Sequence, residues 1–319
     1  MKAFVLILLA VFISQPCFCW GFFGHQKINY YAVFLLPPEM LVFYKPNIDY
    51  IKEHAVDPDK RRYLLAQEGA RHYIDIDQYG KYPYEALPRK WNQAVEKFGE
   101  DSLQSKGIVP WWIQVMLQRL TQAFRDKSAA AILKVSAELG HYIADAHVPL
   151  HASHNHNGQY SGQKGIHGLW ESRIPELLAD KEWDFFIAPA VYIKDPLHFT
   201  WERVLESAAA ADTVLAYEKL LTTQFPEDQK YAFETRNDVV LRQYSSSFTI
   251  AYDKKMKGMV ERRMRQSVFA IASFWYTAWV NAGQPDLRNL SQKPLSQSES
   301  ADIDTLNKVW QNHSDDDHE

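Results

Sequence analysis

His141 and Asp145 stand four residues apart, and so do His167 and Glu171, with His151 between the two pairs. On a helix this spacing stacks both side chains of a pair on one face, close enough to grip a single ion. Pro149 interrupts the helical ladder and leaves His151 at the helix C-terminal end, free to turn toward a different ion. Imidazole with carboxylate is a typical zinc ligand set, and a site that keeps an open position for water is catalytic. A single pair reads equally as a packed histidine beside an acid. Two pairs flanking a third histidine over residues 141–171 read as a metal site.

Two further ligand sources lie upstream. The run from His54 to Arg62 offers Asp57 or Asp59, and His72 follows within Arg71-His72-Tyr73-Ile74-Asp75. Read alone, these are a helix cap and a buried histidine as readily as ligands. The other source is Trp20-Gly21-Phe22-Phe23-Gly24-His25. If the mature chain begins at Trp20, its α-amine and carbonyl oxygen form a five-membered chelate with His25 nearby.

The elements that must position these groups read as helices. His25 to Leu36 carries an apolar face and ends at Pro37-Pro38. Trp111 to Phe124 sets Trp112, Val115, Met116, Leu120 and Phe124 on one side, and Ala129 to Val148 leads into the metal motif. Further helices are expected over Trp170–Leu178, Phe199–Leu221, Asp228–Arg242 and Thr249–Ala282. The period near 3.6 and the shortage of strand alternation predict an all-α fold, one mainly helical domain around the metal site. The apolar run Val268 to Val280 is too short for a membrane span and includes Ser273 and Thr277, so it reads as a core helix and no integral span is expected after processing.

Residues 1–19 read as a secretory signal peptide. Lys2 is their only charge, Ala3 to Ile13 are apolar, and a cleavage point lies between Cys19 and Trp20. Both cysteines of the chain fall in this segment, so the mature protein has neither thiol nor disulfide despite export to the periplasm or outside. Residues 20–290 form the expected catalytic domain, and residues 291–319 an expected disordered polar tail with Asp315-Asp316-Asp317. Without Lys2 the balance is 34 basic against 39 acidic residues, a net charge of −5 that excludes a dedicated duplex-DNA binder. Nothing in the sequence identifies a protein partner. His154 and His156, in a Gly/Asn-rich loop, read as rim residues. His147 reads as packing, and His318 as part of the solvated tail.

The ordered set Trp20, His25, Asp57, His72, His141, Asp145, His151, His167 and Glu171 resembles the superfamily of zinc-dependent phospholipases C and single-strand-specific nucleases (3′-nucleotidases). All nine positions are filled in order. The resemblance implies three zinc ions: one held by Asp57, His72, His141 and Asp145, a second by Trp20, His25 and a bridging Asp145, and a third by His151, His167 and Glu171. It implies a hydrolase of phosphoric ester bonds, a phosphodiesterase using zinc-activated water, with Asp57 or Glu171 accepting the proton. Asp-x-x-Lys in this chain favours Asp57 over Asp59. Trp-Gly-x-x-Gly-His and His-x-x-Trp resemble the nuclease branch. Glu171 in place of Asp, and the short link from His151 to His167 without a Gly-Gly-Asn element, resemble the phospholipase C branch. The expected substrate is a phospholipid. The alternatives are single-stranded nucleic acid or a 3′-nucleotide and, from another class, an exported zinc-binding protein without turnover.

Overall fold

The computed structural model describes residues 21–236 and 239–290; the expected signal peptide, Trp20 and the expected tail lie outside the described residues. The fold is all-α apart from one small hairpin. Helix α1 is Phe22–Val33, and a short α2, Asp57–Arg61, starts at Pro58 in its first turn. Two long neighbours follow: α3 is Val109–Arg125 and α4 is Ala129–Asp145, the latter capped by the Ser128 side chain accepting from Ala131 N–H. After several short helical turns, the last of them Ile174–Leu178, come α5, Pro196–Gln224, and then strands β1, Tyr231–Arg236, and β2, Val239–Tyr244. Helices α6, Ser246–Met256, and α7, Met259–Asn281, complete the described chain.

The core sits where α7 crosses α1, α3 and α4. Val260, Met264, Val268, Ile271, Trp275 and Ala278 recur at helical spacing along α7 and are all buried. Trp275 donates its indole N–H to Ser136 O at 3.0 Å and stacks on Tyr44, so α7 is tied to α4 by apolar contact and by a satisfied polar group together. No described helix is long and apolar enough to cross a membrane.

One approach in this core sets up the metal centre. A Cβ on Gly140 would lie 2.1 Å from Asn29 Oδ1, so only glycine lets α4 pack this closely on α1. Asn29 uses the proximity to donate to Ala137 O at 3.0 Å and to Ile51 O at 3.3 Å. His25, one turn before Asn29, and His141, next to Gly140, are thereby brought face to face with ring centroids 3.8 Å apart.

Two expected helices differ. Asp228–Arg242 is not helical: it contains β1 and most of β2, paired antiparallel with Phe233 opposite Arg242 and Thr235 opposite Val240. Tyr231, Phe233 and Thr235 alternate with period two, and Val239-Val240 is β-branched, a pattern that outweighs the weak helical spacing. Thr249–Ala282 is two helices, because Lys257 (φ 54°) and Gly258 (φ 69°) both take the left-handed conformation that ends α6.

Candidate metal centre

Three groups of buried donors converge at the C-terminal end of α4: His25 with His141 and Asp145, Asp59 with His72 and His141, and His151 with His167 and Glu171. α4 supplies His141 and Asp145, one turn apart on one face. Pro149 opens a 3-10 turn, Pro149–Ala152, that redirects His151. His167 lies in the helical turn Ile166–Gly168, and Glu171 in a π-helical turn, Leu169–Arg173, that widens the ladder. Such turns are frequent at functional sites.

Backbone carbonyls fix which imidazole nitrogen faces inward. His141 Nδ1–H donates to Ala55 O at 2.8 Å, His151 Nδ1–H to His72 O at 2.7 Å, and His167 Nδ1–H to His156 O at 2.9 Å. A carbonyl only accepts, so each ring holds its proton on Nδ1 and turns Nε2 toward the centre. His151 Nε2 and His167 Nε2 then stand 3.0 Å apart, and 3.6 and 2.8 Å from Glu171 Oε2. Two donors on one tetrahedral zinc at its usual bond lengths are separated by roughly 3.3 Å. The group has the spacing and the electron pairs for one such ion.

Asp145 joins the other two groups. Its Oδ2 is 3.0 Å from His72 Nδ1 and 3.3 Å from His141 Nε2, while Oδ1 is 3.4 Å from His25 Nε2. The two oxygens face different histidines, as a bridging carboxylate requires. Among the described residues Asp145 Oδ1, Asp59 Oδ1 and both ring nitrogens of His25 make no hydrogen bond, although all are buried. Burying such atoms without partners costs about 1–3 kcal/mol each, and a cation removes that cost.

Electrostatics agree. Burial pushes His25 down to about 4, with His141 adding to the shift, and burial likewise holds His151 well below the ordinary histidine range. Burial opposes a charge on His141 too, but Asp145 and Asp59 outweigh it and raise that ring. Burial would raise Asp145, yet His141 and His151 hold it well below the usual carboxylate range. Buried carboxylates among mostly neutral imidazoles make a negative pocket, and the donor set fits zinc.

Two residues differ from the sequence expectation. Asp57 is not in the cluster; its Oδ2 is 2.6 Å from His54 Nδ1 and its Oδ1 accepts from Lys60 Nζ at 3.2 Å. Asp59 takes its place, with Oδ1 3.6 Å from His72 Nδ1 and 3.7 Å from His141 Nε2. Residues two apart on a helix point about 200° apart, so α2 can present only one of the two acids to the centre. Trp20 lies outside the described residues, but Gly21 N–H, the next in sequence, donates to Glu171 O at 3.3 Å. A Cβ at Gly21 would meet Ser172 Oγ at 2.3 Å, so this close seating also needs glycine.

Around the ligands is a layer the sequence did not disclose. Glu68 Oε1 faces His72 Nε2 at 3.8 Å, and Glu68 also receives Arg71 Nη1 at 2.6 Å, Arg61 Nε at 3.3 Å and the Tyr142 hydroxyl. Burial would raise Glu68, but Arg61, Tyr142, His72 and Arg71 hold it below the usual range, an anion beside the outer nitrogen of a ligand. Arg61 reaches on to Glu138 at 2.6 Å. Glu138 and Tyr142 share α4 with His141, and Glu68 stands four residues before His72, so spacing could have found these three but not Arg61. His156 supplies its carbonyl to His167, and burial pushes its own ring down to about 4. His154 is a rim residue on Asp75 at 3.1 Å, and His147 is a packing residue bonded to Ile143 O at 2.7 Å.

The zinc-dependent phospholipase C family model matches residues 24–235, well over half of the chain and inclusive of every ligand group described above. No curated protein matches. With donors that fit zinc on an all-α frame, the chain belongs to the zinc-dependent phospholipase C family.

Proposed function

We propose that the protein is an exported phospholipase C-type phosphodiesterase that cleaves the ester between a phosphate headgroup and its diacylglycerol. The observation that carries this reading is the convergence of three buried donor groups with inward nitrogen lone pairs, two of them joined through Asp145. Each brings at most three protein donors among the described residues, His141 Nε2 serving one ion only, which leaves room for water or a phosphate oxygen and argues against a purely structural role. Zinc held there supplies Lewis acidity toward the phosphate and lowers the pKa of bound water toward neutrality.

The chain's own groups do the rest. Asp145 holds the two groups on α4 in register through its two oxygens. Asp59, in the position expected for Asp57, is the carboxylate placed to accept the proton of the attacking water at Oδ1, and Glu171 anchors the third group. The carbonyls of Ala55, His72 and His156 keep Nδ1 protonated and prevent the rings from turning, and Glu68 orients His72. Trp20, freed by leader cleavage after Cys19, adds its α-amine beside His25; the seating of Gly21 on Glu171 supports that placement.

The test is side-by-side turnover of a phospholipid, single-stranded nucleic acid and a 3′-nucleotide, each before chelation, after it, and with zinc restored. Zinc-restored phospholipid hydrolysis is expected. Preferential turnover of nucleic acid or nucleotide assigns the nuclease reading, and no turnover with zinc bound assigns a non-catalytic role. A protein carrying one extra residue before Trp20 should bind less zinc than one starting at Trp20.

A further inference from the structure

The β1–β2 hairpin has two unlike ends. In an antiparallel pair, opposite residues share a face, as do residues two apart along a strand. Tyr231, Phe233, Thr235, Val240, Arg242 and Tyr244 therefore lie on one face. At the base that face is docked: Tyr244 is buried and stacks on Phe248 with centroids 5.3 Å apart. Further out it carries nothing. Phe233 is 74 % exposed and Val240 64 % exposed. Large apolar side chains held out on a projecting arm lose free energy to water, and the fold gains nothing from them.

The charges nearby indicate what covers them. A cavity of about 510 Å³ lies between the hairpin and the turn that bears His167 and Glu171, lined among others by Phe22, Lys164, Arg173, Glu176, Leu241 and Arg242. Arg173 is neutralised, gripping both oxygens of Glu234 on β1 and the Ser246 hydroxyl. Lys164 and Arg242 form no ion pair among the described residues; Arg242 lies over the Tyr231 ring at 3.7 Å, and both side chains are exposed. Apolar projections beside two cations that stand outside any ion pair among the described residues match an interface that is apolar within and anionic at its surface. The Arg173–Glu234 bridge couples the arm rigidly to the helical turn that carries Glu171.

We infer that the hairpin is a membrane-docking arm: Phe233 and Val240 enter an anionic phospholipid surface while Lys164 and Arg242 engage its phosphates, setting the metal centre against the lipid layer. This rests on the proposed phospholipid activity for its purpose but not for its test. The zinc-loaded protein is sedimented with vesicles of phosphatidylcholine mixed with phosphatidylglycerol, a measurement that needs no turnover. The double variant Phe233→Asp/Val240→Asp should lose roughly tenfold or more of its vesicle affinity. Lys164→Gln/Arg242→Gln should lose roughly 25-fold, at about fivefold per cation, on mixed vesicles and little on pure phosphatidylcholine. Hydrolysis of a monomeric short-chain phospholipid should be unchanged in both double variants, which also shows that they fold; absence of that hydrolysis in the parent would overturn the activity and leave the binding result standing. Undiminished vesicle binding by Phe233→Asp/Val240→Asp overturns the arm. So does failure of the parent to bind vesicles, with the same substitutions instead abolishing a dimer in sedimentation, which would make a second copy the occupant.

Discussion

Up to Arg173, buried polar groups face one another without completing their hydrogen bonds: His25, Asp59 and Asp145 all hold orphaned atoms within one pocket. In the helices that follow, buried charge is answered by protein. Glu218 on α5 takes Lys230 Nζ at 2.8 Å, the Tyr244 hydroxyl at 3.2 Å and the Thr222 hydroxyl at 3.2 Å. Arg263 on α7 donates to His147 O at 2.8 Å and to Glu206 at 2.8 Å. Both regions bury charge, and the first closes a network of its own around Glu68, but only the first gathers orphaned ring nitrogens and carboxylate oxygens in one pocket. The first region is therefore built to hold a cation. Its stability is tied to metal supply, whereas that of α5, α6 and α7 rests on apolar burial and closed networks.

The largest effect expected from this contrast follows zinc removal. Verified chelation should lower the melting temperature by on the order of 10 °C and expose the amides of α1 and α4 to exchange ahead of those of α7. An unchanged melting curve, or uniform loss of protection, would erase the contrast. Within the metal-bearing half, Asp145→Asn should release more zinc than Glu171→Gln, because the two oxygens of Asp145 face His25 and His72 of different groups while Glu171 faces one group. Elemental analysis showing equal loss would contradict the bridge.

A smaller effect tests the packing that brings the histidines together. Gly140→Ala forces a methyl against Asn29 Oδ1 and should cost about 1–3 kcal/mol in denaturant melts, with zinc lost from the His25 group. Gly69, which has no atom within 4 Å of its Cβ position, is the control: Gly69→Ala should leave both zinc content and stability nearly unchanged.

The smallest effect lies in the second region, at its one orphaned carboxylate. Burial, with Glu182 and Glu261 nearby, raises Asp253 to about 6, and its Oδ1 has no partner among the described residues. A folded pKa above the unfolded value gives stability that is present below about pH 4 and lost as pH rises through 6. Asp253→Asn should therefore match the parent at pH 4 and exceed it above pH 6. The gain is on the order of 1 kcal/mol, since solvent shields part of the site. Equal stability at both pH values would show that Asp253 is not strained.

How far the sequence could be read depends on whether a feature is periodic. The helices of the core and the paired ligands on α4 were legible because 3.6-residue spacing leaves a trace in the chain. Asp59 was not separable from Asp57, because both acids flank Pro58 and the choice is made by the direction in which a five-residue helix enters the core. Glu68 stands four before His72, a spacing that went unread because no periodic helix surrounds it, and Arg61 meets Tyr142 across segments that only the tertiary fold brings together. The hairpin was missed for a local reason: Tyr231, Phe233 and Thr235 satisfy a two-residue period within a stretch too short to contradict a helical one. The resemblance in turn assigned a complete ligand set in order, and geometry shifted it by one carboxylate.

The three donor groups, two of them joined through Asp145 and with His141 Nε2 given to one ion only, are the proposed zinc sites, with Asp59 as the upstream carboxylate. The most direct measurement is anomalous X-ray scattering at the zinc absorption edge from crystals of the zinc-loaded protein beginning at Trp20. The account predicts density in each of the three groups, Asp145 within bonding distance of two of the ions, and Asp59 on one of them. Zinc bound by Asp57 in place of Asp59, or density away from the histidines altogether, would contradict it.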